Sequence, residues 1–176
     1  MALADLSVVG PQATIARYVA SGGTAIKAGE PLHRVGDTHS NGEASVNTFV
    51  LAAADTPVIG THQLGGVAIK NSSNAAAGTT NTQYLPCAAP IAYAGRIRGK
   101  ALVTTEIDTA SELAGVIGDY TLIDYNATGA ADGGEEYTII SNATADTGGL
   151  EIVAGNTALL TLDVTPDSDA YRSDRS

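Results

Sequence analysis

The chain has 176 residues, of which 44% are hydrophobic and 16% are charged, and this composition excludes an intrinsically disordered protein. A chain of this length fits a single domain that buries roughly 70% of the surface exposed when unfolded. Nine Lys and Arg stand against nineteen Asp and Glu, for a formal net charge of −10. Such a field repels phosphate backbones and anionic lipid headgroups, so we expect no nucleic-acid partner and no membrane partner.

The single cysteine and the N-terminal residues bear on where the chain folds. Cys87 has no second cysteine with which to form an intrachain disulfide, so folding in a reducing cytoplasm is possible. The first residues lack the basic segment of a signal peptide, and no apolar run approaches the roughly 20 residues of a membrane helix. We therefore expect synthesis and folding in the cytosol.

Short strands joined by glycine-rich turns dominate the chain, because Gly and Thr interrupt it about every ten residues. We predict an all-β fold, either a small antiparallel β-barrel or a β-tulip or sandwich, with one short helix and extended termini. The predicted strands are Thr14–Ala20, Thr24–Lys27, Asn47–Ala53, Gly66–Lys70, Ile91–Thr104, Tyr120–Tyr125, Glu136–Ile140, Leu150–Val153 and Ala158–Val164.

Two hairpins are predicted in the second half of the chain. Tyr120–Tyr125 and Glu136–Ile140 flank a glycine-rich turn, and glycine supplies the positive φ that tight hairpins need. Leu150–Val153 and Ala158–Val164 flank a short polar loop. We expect these four strands to form one antiparallel meander.

One short helix is predicted from a capping box. Thr109 supplies the hydroxyl at the N-cap and Glu112 the carboxylate at the third helical position. Gly115 is placed to end the helix, which is therefore at most two turns long.

The termini are predicted to lie apart from the domain. Residues 1–12 end in a Gly-Pro pair and are interpreted as an N-terminal arm, and residues 167–176 form a polar C-terminal tail. Residues 13–166 then form a single β-domain. Within it, Asn71–Thr82 is small and polar without apolar periodicity, which is typical of a long loop.

Histidine and carboxylate side chains gather in one region and raise the question of a metal. His33, Asp37, His39 and His62 are of the types that zinc binds, but their spacing does not direct two ligands from one regular element. We interpret them as polar loop residues around a turn, and predict no metal site.

Two acidic groups offer the oxygen ligands that calcium takes. Neither has the ligand spacing and the obligatory glycine of a known calcium loop, so solvated turns are the favoured interpretation. The two groups are Asp132, Glu135 and Glu136, and Asp163, Asp167 and Asp169.

Catalytic chemistry has little support in the sequence. The three histidines are the only bases that titrate near neutral pH, and they are confined to one segment without a recognisable nucleophile motif. No glycine-rich phosphate motif is present. We predict no enzyme, no catalytic residue and no cofactor.

One concentrated positive charge stands out against the acidic background. Alternation along a strand places Arg96, Arg98 and Lys100 on one face. Two interpretations stay open: a solvated face balanced by neighbouring carboxylates, or a contact with an acidic patch on another subunit.

Several segments together resemble the capsid decoration proteins of tailed bacteriophages. They are Ala25–Leu32, Leu64–Ile69, Ile91–Val103 and Glu112–Tyr120, and the similarity extends over residues 24–164. The "Ala-Gly-Glu-Pro" sequence followed by a "Gly-Val-Ala" strand carries it.

The resemblance implies a structural virion protein on the capsid exterior, assembled in the host cytoplasm. Such a protein cements neighbouring major capsid subunits, commonly as a homotrimer, and residues 1–12 would be its arm. The alternative is a tail or fibre module that binds host glycans. The predicted partner interface comprises Leu3, Leu6, Val8, Val9, Arg17, Arg96, Arg98 and Lys100.

Overall fold

A computed structural model of the chain describes residues 5–20, 26–35, 48–51, 62–71, 82–91, 94–125, 137–141 and 148–166. Strands predominate in these ranges, so the predicted all-β fold is confirmed. In chain order the strands are β1 (Leu6–Val9), β2 (Gln12–Ala20), β3 (Pro31–Val35), β4 (Thr48–Leu51), β5 (His62–Ala68), β6 (Thr82–Pro90), β7 (Arg96–Lys100), β8 (Tyr120–Thr121), β9 (Ile123–Tyr125), β10 (Tyr137–Ile139), β11 (Leu150–Asn156) and β12 (Thr161–Pro166).

An antiparallel sheet, here called the open sheet, has the strand order β1-β7-β12-β11-β8. Its side chains alternate as the pleat requires, so that Ile97 and Gly99 of β7 are buried between exposed cations. One face therefore contributes to the main apolar core. The buried members of this core are Leu6, Leu64, Val67, Ile97, Ala101, Ile107, Ile123, Tyr137, Ile139, Leu150, Ile152, Leu162 and Val164.

Five other strands form a closed ring of hydrogen-bonded pairs, here called the strand ring, in the order β2-β4-β3-β5-β6. The β2–β6 ladder is long and antiparallel and extends from Gln12 opposite Pro90 to Ala20 opposite Thr82. The β2–β4 pair is short and parallel. The described strands thus do not form one barrel, because the ring stands beside the open sheet.

The open sheet and the strand ring are joined through β1 and the loop before β3. The backbone N–H of Leu6 donates to the Gly29 carbonyl at 2.9 Å, and the Gly29 N–H donates to the Ala68 carbonyl at 2.9 Å. Leu64 and Val67 of the ring also pack in the core of the open sheet. The two sheets consequently share buried apolar side chains.

The described ranges contain one α-helix, α1 (Ala110–Val116), which follows a 3₁₀ turn over Thr104–Glu106. The predicted capping box is confirmed, because the Glu112 N–H donates to the Thr109 hydroxyl and the Thr109 N–H donates to the Glu112 carboxylate. The helix passes through Gly115 and ends one residue later, ahead of Gly118 at φ +96°.

The prediction of a detached N-terminal arm over residues 1–12 is wrong for the described part of that segment. Leu6–Val9 pair with β7, and Leu6 is only 1% exposed. Gln12 begins β2. Residues 1–4, and the predicted tail at 167–176, lie outside the described ranges.

Several strand predictions also need correction. The single strand expected over Ile91–Thr104 is shorter, because the chain turns where the Gly95 N–H donates to the Ile91 carbonyl and resumes as β7. The hairpin of β9 with β10 is confirmed, and so is that of β11 with β12. The meander is wrong, because β11 pairs with β8 and not with β10. The sequence did not predict β1, β3 or β6. None of the described helices is long and apolar enough to cross a membrane.

Candidate subunit-binding surface

The face of the open sheet that points away from the core, here called the outer face, is polar and displays cross-strand rows of side chains. On β7, Arg96 and Arg98 are exposed and Lys100 is half-buried, so the predicted common face of these three cations is confirmed. Ser7 stands opposite Arg98 on β1, and Val9 stands opposite Arg96. Arg96, Arg98 and Lys100 form a strip of positive charge along β7, here called the cationic strip. It is bordered by β1, which belongs to the segment predicted to be an arm.

Arg98 forms a two-pronged ion pair across the sheet with Asp163 of β12. Its Nε lies 2.6 Å from Oδ1, and its second terminal nitrogen lies 2.8 Å from Oδ2. The hydrogen bonds and charge of Asp163 raise the pKa of the Arg98 guanidinium. Asp163 is 7% exposed at its side chain and Arg98 is 43% exposed, so the cation shields the carboxylate from water.

Arg96 is held less tightly than Arg98. Its nearest described carboxylate oxygen, Oδ2 of Asp163, is 4.0 Å away, and its side chain is 45% exposed. An exposed pair at this separation contributes at most about 1 kcal/mol. Much of the charge of Arg96 thus remains available for a partner.

The far side of the outer face carries the opposite charge. Glu151 of β11 is half-buried and stands between Thr165 of β12 and Tyr120 of β8. Tyr120 is 41% exposed. The outer face thus has a cationic strand on one side and a carboxylate beside an exposed aromatic ring on the other.

The remaining predicted interface residues fall into different environments. Leu6 lies within the chain's own core and Val8 packs against that core, so the expectation that they face a partner is corrected. Arg17 belongs to the strand ring, where its Nε donates to the Gly65 carbonyl at 2.8 Å. Leu3 lies outside the described residues.

Sequence reasoning missed the carboxylates of this surface. Asp163 was grouped with Asp167 and Asp169 as a solvated acidic turn, but it is a buried strand residue paired with Arg98. Glu151 was not singled out. The only sequence signal was their alternation within strands, which does not reveal which cation each one meets.

The histidines do not gather as a loop cluster in the described ranges. His33 was expected on a polar loop, but it is a buried residue of β3 at 3% exposure. His62 begins β5 opposite Val35. Asp37 and His39 lie outside the described ranges, as do Asp132, Glu135 and Glu136. Among the residues that the structure describes, no three His, Cys, Asp or Glu side chains form a group that could hold a metal.

Cys87 is a buried thiol inside the strand ring. Its side chain packs with Leu85, Leu32 and other apolar residues and has no exposed surface. Burial raises the pKa of the thiol to about 11, although the charge of nearby Arg17 opposes the shift. The thiol is therefore protonated near neutral pH and is a weak nucleophile.

Comparison with known proteins adds no identification. No family model matches the chain, no curated protein matches it, and no solved structure matches it.

Proposed function

We propose that this chain is a structural virion protein that binds the outer surface of a tailed-phage capsid and cements neighbouring major capsid subunits. The proposal combines the sequence resemblance with a surface of the structure. The observation that carries it is the outer face of the open sheet, where three cations project from one strand of a chain with net charge −10. Such a strip suits contact with other protein subunits in an assembly.

Contacts of this kind gain strength by repetition. Exposed charge pairs are individually weak, but a shell presents the same contact many times, and avidity multiplies weak contacts without new ones. Subunit cementing therefore does not require a large apolar patch on each chain. The decoration proteins that this sequence resembles are commonly trimers, and a homotrimer on the capsid exterior is part of the proposal.

Binding to capsid shells tests the proposed function. The purified chain is incubated with expanded shells of the phage that encodes it, and the shells are pelleted. We expect the chain to pellet with the shells and to raise their temperature of disassembly. A chain that stays entirely in the supernatant, with shells that melt unchanged, would contradict the proposal.

Charge-reversal variants show whether the outer face takes part. We expect Arg96→Glu combined with Lys100→Glu to weaken shell binding at least about tenfold. The two substituted side chains are then negative and repel an acidic neighbour. The matched control reverses an exposed cation elsewhere, Lys70→Glu, and should bind as the unmodified chain does. Equal binding by all three proteins would remove the outer face from the contact.

A further inference from the structure

The outer face contains one cross-strand row of five side chains in which two opposite charges lie at equal distances from the central residue. The row consists of Val9, Arg96, Thr165, Glu151 and Tyr120, from β1 through to β8. Val9 pairs with Arg96, and Glu151 pairs with both Thr165 and Tyr120. The β7–β12 ladder ends where Val164 pairs with Ile97. The next residues in the same register are Thr165 and Arg96, which therefore lie beside each other. From either end the row therefore has an aliphatic or aromatic side chain, a charge and then the central threonine, with the two charges of opposite sign.

We propose that the outer face binds a second copy of this chain through a two-fold axis parallel to the strands. Rotation about such an axis along β12 lays one outer face on the other and reverses the strand order. Arg96 then meets Glu151 of the second copy, and Val9 meets its Tyr120. Both contacts occur twice, as in any interface between identical patches.

Charge selects this axis over the other face-to-face arrangement. A two-fold axis perpendicular to the strands would lay β7 on β7 in the opposite direction and bring Arg96 toward Lys100 of the second copy. Like charges across an interface are unfavourable. The parallel axis avoids this contact, and the strands of the two sheets then run in nearly the same direction, as in aligned sheet packing.

The neighbouring rows accommodate the same arrangement, in which Asp163 lies on the axis and meets Asp163 of the second copy, and each of these carboxylates is neutralised by its own Arg98. Arg98 and Asp163 pair with each other within one chain, and Ala154 follows them on β11. Reversal places the small Ala154 opposite Arg98 of the second copy, which leaves space for the guanidinium. In the next row Lys100 pairs with Thr161, which pairs with Asn156, so that Lys100 meets an amide side chain.

The size of the face predicts weak association. Four strand spacings of about 4.8 Å and six residues of about 3.3 Å give a face roughly 20 Å square, or about 400 Å² per copy. The two copies together would bury about 800 Å², which is at the low end for protein interfaces. Two free copies should hence associate weakly, and copies held close together on a particle should associate far better. The inference does not depend on the proposed function, since a second copy can be tested without shells.

Analytical ultracentrifugation of the full chain tests the inference. We expect the mass of the basic unit, monomer or trimer, to begin doubling at high protein concentration and low salt, and the doubling to disappear at about 0.5 M salt because exposed charges are screened. Arg96→Glu and Glu151→Arg should each raise the dissociation constant of this step at least about tenfold. Lys70→Glu is the matched control and should leave it unchanged.

Mixing the two variants gives the sharpest result. Alone, Arg96→Glu places carboxylates against carboxylates and Glu151→Arg places cations against cations. When one is paired with the other, both contacts join opposite charges, so the equimolar mixture should recover the doubling. Circular dichroism spectra and melting temperatures like those of the unmodified chain ensure that each variant is folded.

Three outcomes would overturn the inference. The unmodified chain could show no doubling, the variants could double as it does, or the mixture could fail to recover. If Arg96→Glu loses binding to shells while the unmodified chain never doubles, the face binds the shell protein and not a second copy. That result would leave the proposed function standing, whereas absence of shell binding with normal doubling would remove only the proposed function.

Discussion

The open sheet and the strand ring bury apolar side chains in different ways. The main apolar core contains thirteen buried residues among those described, contributed by the open sheet, by β9 and β10 with the segment after β7, and by Leu64 and Val67 of the ring. Among the residues that the structure describes, the buried cluster of the ring has five members and includes a cysteine and an alanine. Apolar burial contributes roughly 25 cal/mol per Å². For the described side chains, we infer that the main apolar core contributes more apolar stabilisation than the cluster of the ring, which depends more on backbone pairing and on close strand approach.

Truncation in the two cores tests this comparison most strongly. Ile97→Ala should lower the free energy of unfolding by about 4 kcal/mol, and Leu85→Ala by about 2.5 kcal/mol, because a smaller cluster loses fewer contacts around the cavity. Both side chains are fully buried. Urea unfolding monitored by circular dichroism measures both values, and an equal or larger loss for Leu85→Ala would reverse the assignment of stability.

Closure of the ring at Gly66 sharpens the comparison. Gly66 has φ +116°, and a Cβ there would lie 2.6 Å from the Ala88 carbonyl oxygen of the neighbouring strand. Gly66→Ala should cost about 3 kcal/mol, because it adds a clash with backbone to an unfavourable φ. The control is Gly118→Ala at φ +96° in open space, which should cost about 1 kcal/mol. Equal costs in urea unfolding would show that close strand approach is unimportant.

A smaller effect concerns the thiol inside the ring and appears only at high pH. The folded pKa of Cys87 is raised from 9.0 to about 11, so the protonated thiol favours the folded state. Its contribution is complete below about pH 9 and is lost as the pH rises toward 11, at about 1.4 kcal/mol per pH unit. Relative to Cys87→Ala, the unmodified chain should therefore lose stability over this interval. A constant difference between the two proteins from pH 8 to 11 would contradict burial of the thiol.

Local patterns predicted those parts of the fold that depend on neighbouring residues. The capping box at Thr109 and Glu112 and the alternation of β7 were predicted correctly, because each depends on residues a few positions apart. β1 was missed because its burial comes from pairing with β7, which lies about ninety residues later in the chain. Four residues before a Gly-Pro pair resemble a loose terminus until that partner strand is known.

Prolines explain another missed strand. β6 contains Pro86 and ends at Pro90, and proline within a run argues against a strand because it lacks a donor. β6 is nevertheless formed by its long ladder with β2, in which Pro86 stands opposite Ala16, and β5 pairs with it only at Cys87 and Ala88. Pro86 thus lies beyond that short ladder, while its carbonyl accepts from the Ile69 N–H.

Of the candidate surface, the sequence predicted the cations of β7 but not the carboxylates beside them. The three cations share a face by alternation alone, but Asp163 and Glu151 join them only through the register of β7, β12 and β11. The β7–β12 register joins Arg98 to Asp163, which lies 65 positions later in the chain. Composition and spacing do not determine it, and therefore the opposite charges of the face could not be paired from sequence.

A cryo-electron microscopy reconstruction of phage capsids incubated with the purified chain most directly tests the central claim, that the chain binds a capsid through its outer face. The account predicts density for the chain on the capsid exterior, with the outer face of the open sheet, including Arg96 and Glu151, against a neighbouring protein subunit. A particle without the chain, or a bound chain whose outer face is fully exposed to solvent, would contradict it.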